Sequence, residues 1–101
     1  MRNSKPFNID TRTFEKKGDA HDFFKAMLNR YRIGDRVNAA DENDLRSLLK
    51  KHTEYEQKIG PGVAHFEVID GGFGTQCFKI VRIDGTSDDF SYKHCITPKK
   101  G

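Results

Sequence analysis

A chain of 101 residues with a net charge of +3, 35% hydrophobic and 33% charged residues, has room for one hydrophobic core and not for two. Eight Phe and no Trp leave Phe to supply most of the buried aromatic area. No run approaches the roughly 20 apolar residues of a membrane span, the start of the chain lacks the apolar heart of a secretion signal, and two Cys do not make a disulfide framework. A cytoplasmic protein with reduced thiols is the expectation.

In chain order, residues 1–6 and 97–101 read as loose ends around a core of residues 7–96, the whole forming a single domain. Phe7, Ile9 and Thr11–Phe14 have room for a short N-terminal strand or two. With Asp19 as N-cap and Asp22 three residues on, Ala20, Phe23, Phe24, Met27, Leu28 and Tyr31 recur at i, i+3, i+4, i+7, i+8 and i+11. That spacing predicts an amphipathic helix, ended by Gly34. A second helix is predicted from Asp41, with Asp44 in the capping-box position. Leu45, Leu48, Leu49 and His52 share one of its faces, and Lys50 and Lys51 fall in its last turn, where the dipole favours cations.

Lys58-Ile59-Gly60-Pro61-Gly62 breaks the chain, and the period then changes to two. Val63–Ile69, Gln76–Ile83 and Asp89–Ile96 read as strands joined by Asp70–Gly74 and by Asp84-Gly85, a hairpin signal. The order is therefore two amphipathic helices followed by a three-stranded antiparallel meander, an α+β fold. A turn centred on Gly85-Thr86 would place Arg82 opposite Asp89, Ile80 opposite Ser91 and Cys77 opposite His94. In that register the two Cys lie on opposite faces, against a disulfide between them.

Several blocks recur together: Phe23-Phe24 with Leu28-Asn29-Arg30-Tyr31, Leu45-x-x-Leu48-Leu49-x-x-His52, Lys58-Ile59-Gly60-x-Gly62, Cys77-Phe78 running to Arg82-x-Asp84-Gly85, and Asp89-Phe90-Ser91-Tyr92-Lys93-x-Cys95-Ile96. In this order and spacing the chain resembles the defective-chloroplasts-and-leaves (DeCL) domain family over roughly residues 11–96. The resemblance implies a link to ribosomal RNA maturation in plant organelles and to the C-terminal end of the largest subunit of plant-specific RNA polymerases. Without a transit peptide ahead of it, a bacterial or phage stand-alone copy is expected. The residues the blocks single out are His52, Lys58, Gly60, Gly62, Arg82, Asp84, Asp89 and Ser91.

Most of these have a structural reading that competes with a functional one. His52 sits on an apolar helical stripe, where an imidazole usually packs and satisfies the helix end by bonding a carbonyl. Gly60 and Gly62 beside Lys58 have the chemistry of a phosphate loop, yet the full pattern is missing and a strand follows instead of a helix. An Arg82–Asp89 cross-strand pair would account for both charges. Cys77, His94 and His65 lack the spacing of a structural zinc site, so no metal and no other cofactor is expected. His52, Lys58, Asp84 and Asp89 are individually suited to catalysis, but no nucleophile–base–orienter set is visible and no catalytic residue is assigned.

Residues 1–50 carry 11 Lys/Arg against 8 Asp/Glu, and residues 51–101 carry 7 against 7. This weak asymmetry allows a nucleic-acid partner without demanding one. The basic patch is Arg30, Arg32 and Arg36 with Lys50 and Lys51, joined by the Lys99-Lys100 tail. The expectation is a non-enzymatic module whose partner is RNA or a ribonucleoprotein. The alternatives are a protein partner docked on an exposed sheet face or an edge strand and, third in order, an enzyme of unknown reaction using His52, Lys58, Asp84 or Asp89.

Overall fold

A computed structural model describes residues 6–72 and 74–97. The chain opens with a short hairpin, β1 (Phe7–Asn8) and β2 (Thr13–Phe14), followed by helices α1 (Lys17–Asn29), α2 (Ala39–Leu49) and α3 (Tyr55–Ile59). Strands β3 (Val63–Gly72), β4 (Thr75–Arg82) and β5 (Ser87–Phe90) form an antiparallel sheet in the order β3-β4-β5, and α4 (Tyr92–Ile96) closes the described chain. The mixed α+β architecture, with helices preceding a three-stranded antiparallel sheet, is as the sequence predicts.

The core lies between the helices and one sheet face. Phe66 and Val68 of β3, Phe78 and Ile80 of β4 and Phe90 of β5 are buried on that face. Ala20, Phe24, Met27 and Leu28 of α1 and Leu45, Leu48 and Leu49 of α2 are buried as the stripes require. The N-terminal hairpin adds Phe7, Ile9 and Phe14. It is moored to α2, because Ser47 Oγ accepts from the Asp10 and Thr11 N–H groups and the Arg12 guanidinium grips Asp44.

Both helix starts differ from expectation. α1 begins at Lys17 behind Lys16, whose side chain makes no capping bond. α2 begins behind Asn38, whose side-chain oxygen accepts from the Asp41 N–H at 2.8 Å. The cap is thus Asn38, with Asp41 at its third helical residue, because Asn is as good an N-cap as Asp. Asp41 and Asp44 are instead buried carboxylates bound to Arg30 and Arg12.

The final strand is shorter than predicted. β5 ends at Phe90, and the chain turns into α4 at Ser91, whose hydroxyl accepts from the His94 N–H. Ser is a favoured cap, and Tyr92, Cys95 and Ile96 then fall at i, i+3 and i+4, all buried. The hairpin register also departs from expectation. The loop is Ile83-Asp84-Gly85, closed by Arg82 N–H to Thr86 O at 2.8 Å and Gly85 N–H to Arg82 O at 3.0 Å. Lys79 therefore faces Asp89 and Ile80 faces Asp88, not Ser91, while Arg82 sits opposite Thr86, not Asp89. Cys77 and His94 are not cross-strand partners, since His94 belongs to α4. Both Cys are free, as expected, although Cys95 lies on a helix.

The odd-length loop depends on Gly85, which has φ +88 and open space where a Cβ would stand, with nothing within 4 Å. Any cost of a side chain there is backbone strain alone. Gly85→Ala should destabilise the chain by about 1–2 kcal/mol. Gly18→Ala, at a helical site that also has open space and no positive φ, should be neutral or stabilising by up to about 1 kcal/mol. Urea unfolding of the two variants checks the contrast.

Candidate functional site

The core face of the sheet ends in charge. Beyond Ile80 the next side chain on that face is Arg82, and beyond Phe90 the next on β5 is Asp88. α3 covers this end and contributes Lys58. The Lys58 ammonium donates to Asp88 Oδ2 at 3.1 Å and to the Asp89 carbonyl at 2.9 Å. The Arg82 guanidinium donates to the Lys58 carbonyl at 2.8 Å and to Thr86 Oγ1 at 3.2 Å, with Asp88 at 3.5 Å. Burial works to raise the Asp88 pKa, but the hydrogen bond and charge of Lys58 outweigh it and leave the carboxyl below its usual value.

Gly60 and Gly62 belong to the same arrangement. Gly60 has φ +52, and a Cβ there would meet Arg82 Cδ at 3.0 Å. Gly62, at φ +137, receives the Ile83 N–H on its carbonyl at 3.0 Å. The carbonyls of Gln57 and Lys58 point at a guanidinium. A phosphate loop would instead gather N–H donors around an anion, so the Lys58–Gly62 segment is built as a cation clamp.

Next to this clamp is a hollow of about 480 Å³ lined by His52, Lys58, Cys77, Asp89, Ser91 and His94 among others. Four of the eight motif residues thus meet around one feature, with Arg82 and Gly60 behind it. Asp84 stands apart, bound to the Thr86 N–H and hydroxyl in the hairpin turn. His52 is buried, and its Nδ1 accepts the Glu54 N–H at 2.9 Å. It therefore satisfies a donor in the turn after α2, where a carbonyl partner was expected. Its ring lies 4.5 Å from that of His94. Burial, then the His94 and Lys58 charges, hold the His52 pKa below its ordinary 6.5.

The thiols are held back from ionising. Burial raises the Cys77 pKa and pushes that of Cys95 up to about 12. The Thr53 hydroxyl is 2.9 Å from His94 Nε2. Among the described residues there is no group of three His, Cys, Asp or Glu side chains suited to hold a metal ion.

The basic patch is divided. Arg30 is bound to Asp41 at 2.7 Å and Lys50 to Asp10 at 2.6 Å. Asp41 lies in the first turn of α2 and Lys50 caps its end. At 1.5 Å per residue Asp41 and Lys50 stand about 14 Å apart along that helix. Arg32, Arg36 and Lys51 are exposed, with no ion pair among the described residues. Lys99 and Lys100 lie outside the described residues. The sequence reading missed Lys25 and Lys93, which line a second cavity of about 490 Å³ between α1, the β3–β4 turn and α4. No local pattern connects them, because their elements meet only in the fold.

Two long helices and two short ones against an antiparallel three-stranded sheet, with a polar clamp at the end of the core, define a small α+β domain of one recurrent type. The chain belongs to the DeCL domain family, described as a protein of unknown function (DUF3223), whose pattern matches residues 25–96. It is 41% identical over 73 residues, 71% of this chain, to DNA-directed RNA polymerase IV subunit 1 of Arabidopsis thaliana. It is 34% identical over 95 residues, 92% of this chain, to Protein EMBRYO DEFECTIVE 514 of the same plant. To the chloroplastic Protein DCL of Solanum lycopersicum it is 41% identical over 82 residues, 73% of this chain. It spans 5%, 47% and 35% of the lengths of these three relatives, respectively. The solution NMR structure of an uncharacterized protein from Rhodospirillum rubrum is similar, with 48% identity and a TM-score of 0.86 over 94% of this chain and 91% of that one.

Two predictions arise from the clamp and the hollow. A double-mutant cycle with Arg82→Ala and Asp88→Ala should give a favourable coupling of about 0.5–1.5 kcal/mol, and Arg82→Ala alone should cost about 1–3 kcal/mol because two carbonyls lose their donor. Because the folded pKa of His52 is depressed, the folded state is harder to protonate there than the unfolded chain. Its contribution is complete above 6.5 and is lost as pH falls below that toward the folded value. The melting temperature should drop between about pH 7.5 and about pH 5.5, and less so in His52→Asn.

Proposed function

We propose that this chain is a non-catalytic module that binds RNA or a ribonucleoprotein through phosphate contacts from exposed cations. The observation that carries the reading is the pair Arg32 and Arg36. Both are exposed on the segment that runs along the β3 edge, and neither guanidinium has a carboxylate ion-pair partner among the described residues. Asp35 between them is engaged by the backbone, accepting the Arg32 N–H at 2.8 Å. Lys51 is a further cation without an ion pair among the described residues, and Lys50 is held only by Asp10, a pair in which the two side chains are 55% and 65% exposed. Such a pair is worth little and leaves its cation open to exchange onto a phosphate, whereas Arg30 is committed to the buried Asp41. The link to ribosomal RNA maturation that the family resemblance implies, and a similar stretch in a subunit of an RNA polymerase, support an RNA-linked ligand.

The test is fluorescence polarisation with labelled single-stranded and duplex RNA and DNA at two salt concentrations. Phosphate contacts make affinity fall with salt, each adding about 0.7 to the logarithmic slope on single strands and about 0.9 on duplex DNA. Arg32→Gln with Arg36→Gln should weaken binding about tenfold for all sequences and flatten the slope, with the melting temperature unmoved. Absence of binding to any nucleic acid at low salt would sink the proposal. Tight binding of a protein partner that ignores salt would favour docking instead.

A further inference from the structure

The cavity between α1, the β3–β4 turn and α4 has a chemically mixed lining. Leu28, Phe78, Phe90 and Tyr92 give it an apolar floor, and Lys25 and Lys93 stand on its rim. No carboxylate is among its described lining residues, and neither Lys makes an ion pair there. Two unpaired cations over an apolar floor suit an anion that carries an apolar body. A bare inorganic ion would leave that floor unused.

Gln76 narrows the choice. Its Nε2 donates to the Leu28 and Tyr31 carbonyls at 3.0 and 2.9 Å, closing the end of α1. The amide plane is thereby fixed, and Oε1 is left as an acceptor with no donor from the described residues. Two described glycines of the turn beside it do not readily accept a side chain. A Cβ on Gly71 would meet Cys77 Cβ at 3.1 Å and Thr75 Oγ1 at 3.2 Å, and Gly74 has φ +75.

We propose that this groove takes one nucleotide of a single-stranded RNA, its phosphate between Lys25 and Lys93 and its base on the apolar floor. The amino edge of adenine, cytosine or guanine then meets Gln76 Oε1. A duplex has its bases stacked and paired and cannot deliver one to the groove. For its ligand the proposal rests on the RNA reading above, but it uses different residues, so the two can fail separately.

The experiment is a ¹⁵N-HSQC titration with AMP, CMP, GMP and inorganic phosphate, together with polarisation binding of a single-stranded RNA and an RNA duplex. The proteins are the wild type, Lys25→Gln/Lys93→Gln and Arg32→Gln/Arg36→Gln. The nucleoside monophosphates should shift the amides of Gly71, Gly74, Gln76, Cys77 and Lys93, at concentrations about fivefold below those of inorganic phosphate. The Lys25/Lys93 variant should lose those shifts and bind single strands about tenfold more weakly, with duplex binding within about twofold of wild type. Equal responses to inorganic phosphate would overturn the nucleotide assignment. Absence of shifts in the groove would overturn the proposal even where single strands still bind through Arg32 and Arg36. Monophosphates filling the groove while no RNA binds the wild type would overturn RNA as the ligand.

Discussion

Three charged side chains end the core: Lys58, Arg82 and Asp88. The buried face of the sheet is apolar through Phe66, Val68, Phe78, Ile80 and Phe90, and then continues onto positions that carry Arg82 and Asp88. The side chains of Lys58, Arg82 and Asp88 keep 15%, 13% and 39% of their surface exposed, and charges this far withdrawn from water are favourable there only where they are paired and hydrogen-bonded. The pairing requires α3 to present Lys58, and it requires Gly60 to let the chain pass against Arg82. It also requires the three-residue loop that puts Asp88, not Asp89, beside Arg82. The network therefore determines the path of residues 55–62 and the register of the last hairpin together. Its worth lies in what its loss would strand more than in net attraction, because replacing such a network by packed apolar groups is often neutral.

The same need to match charges thins the basic patch. Arg12 is held by Asp44, Arg30 by Asp41, and Arg46 by Glu42 with the Val63 and Ala64 carbonyls. Asp41 and Asp44 are buried carboxylates at the start and middle of α2, so Arg30 and Arg12 answer a demand set by the helix. The cations that remain without ion pairs among the described residues include Lys25, Arg32, Arg36, Lys51 and Lys93. They come from separate elements, which is why a count of charge by halves of the sequence locates them poorly.

The two long helices were legible because their apolar stripes are long and gap-free, and period is a stronger signal than any cap. Their starts were not, since Asn38 competes with Asp41 and the backbone alone begins α1 at Lys17. α4 shows the opposite weakness: Tyr92, Cys95 and Ile96 do carry helical spacing, but one turn of it cannot be told from an alternating strand after Asp89 and Phe90. The hairpin was placed correctly by Asp84-Gly85, yet its loop is Ile83-Asp84-Gly85 where Gly85-Thr86 was expected, so the register slips by three residues, an odd number that turns every β5 side chain to the other face. His52, Lys58, Asp89 and Ser91 line one hollow in the fold, a meeting that their positions in separate sequence blocks do not reveal. What His52, Lys58 and Ser91 touch there was beyond the sequence, because most of the partners are backbone groups: the Glu54 N–H, the Asp89 carbonyl beside the Asp88 carboxylate, and the His94 N–H.

The edges of the sheet bear on which kind of partner the surface suits. An exposed edge strand invites addition of another strand. On the β3 side that place is taken by the chain itself: the Gly34 and Val37 N–H groups donate to the Val68 and Phe66 carbonyls, and Asp35 O receives the Val68 N–H. On the other side β5 has four residues, Ser87–Phe90, and two of its carbonyls already accept from Lys58 and the Cys77 thiol. Neither edge is a ready template. Among the described residues the exposed large apolar ones are Ile33 at 57% and Ile83 at 65%; the first precedes the segment paired with mid-β3 and the second sits in the β4–β5 turn. Isolated apolar residues of this kind do not form a docking patch. Among the described residues strand addition and apolar docking thus have little to work with, whereas Lys25, Arg32, Arg36, Lys51 and Lys93 remain accessible to the anionic partner proposed above.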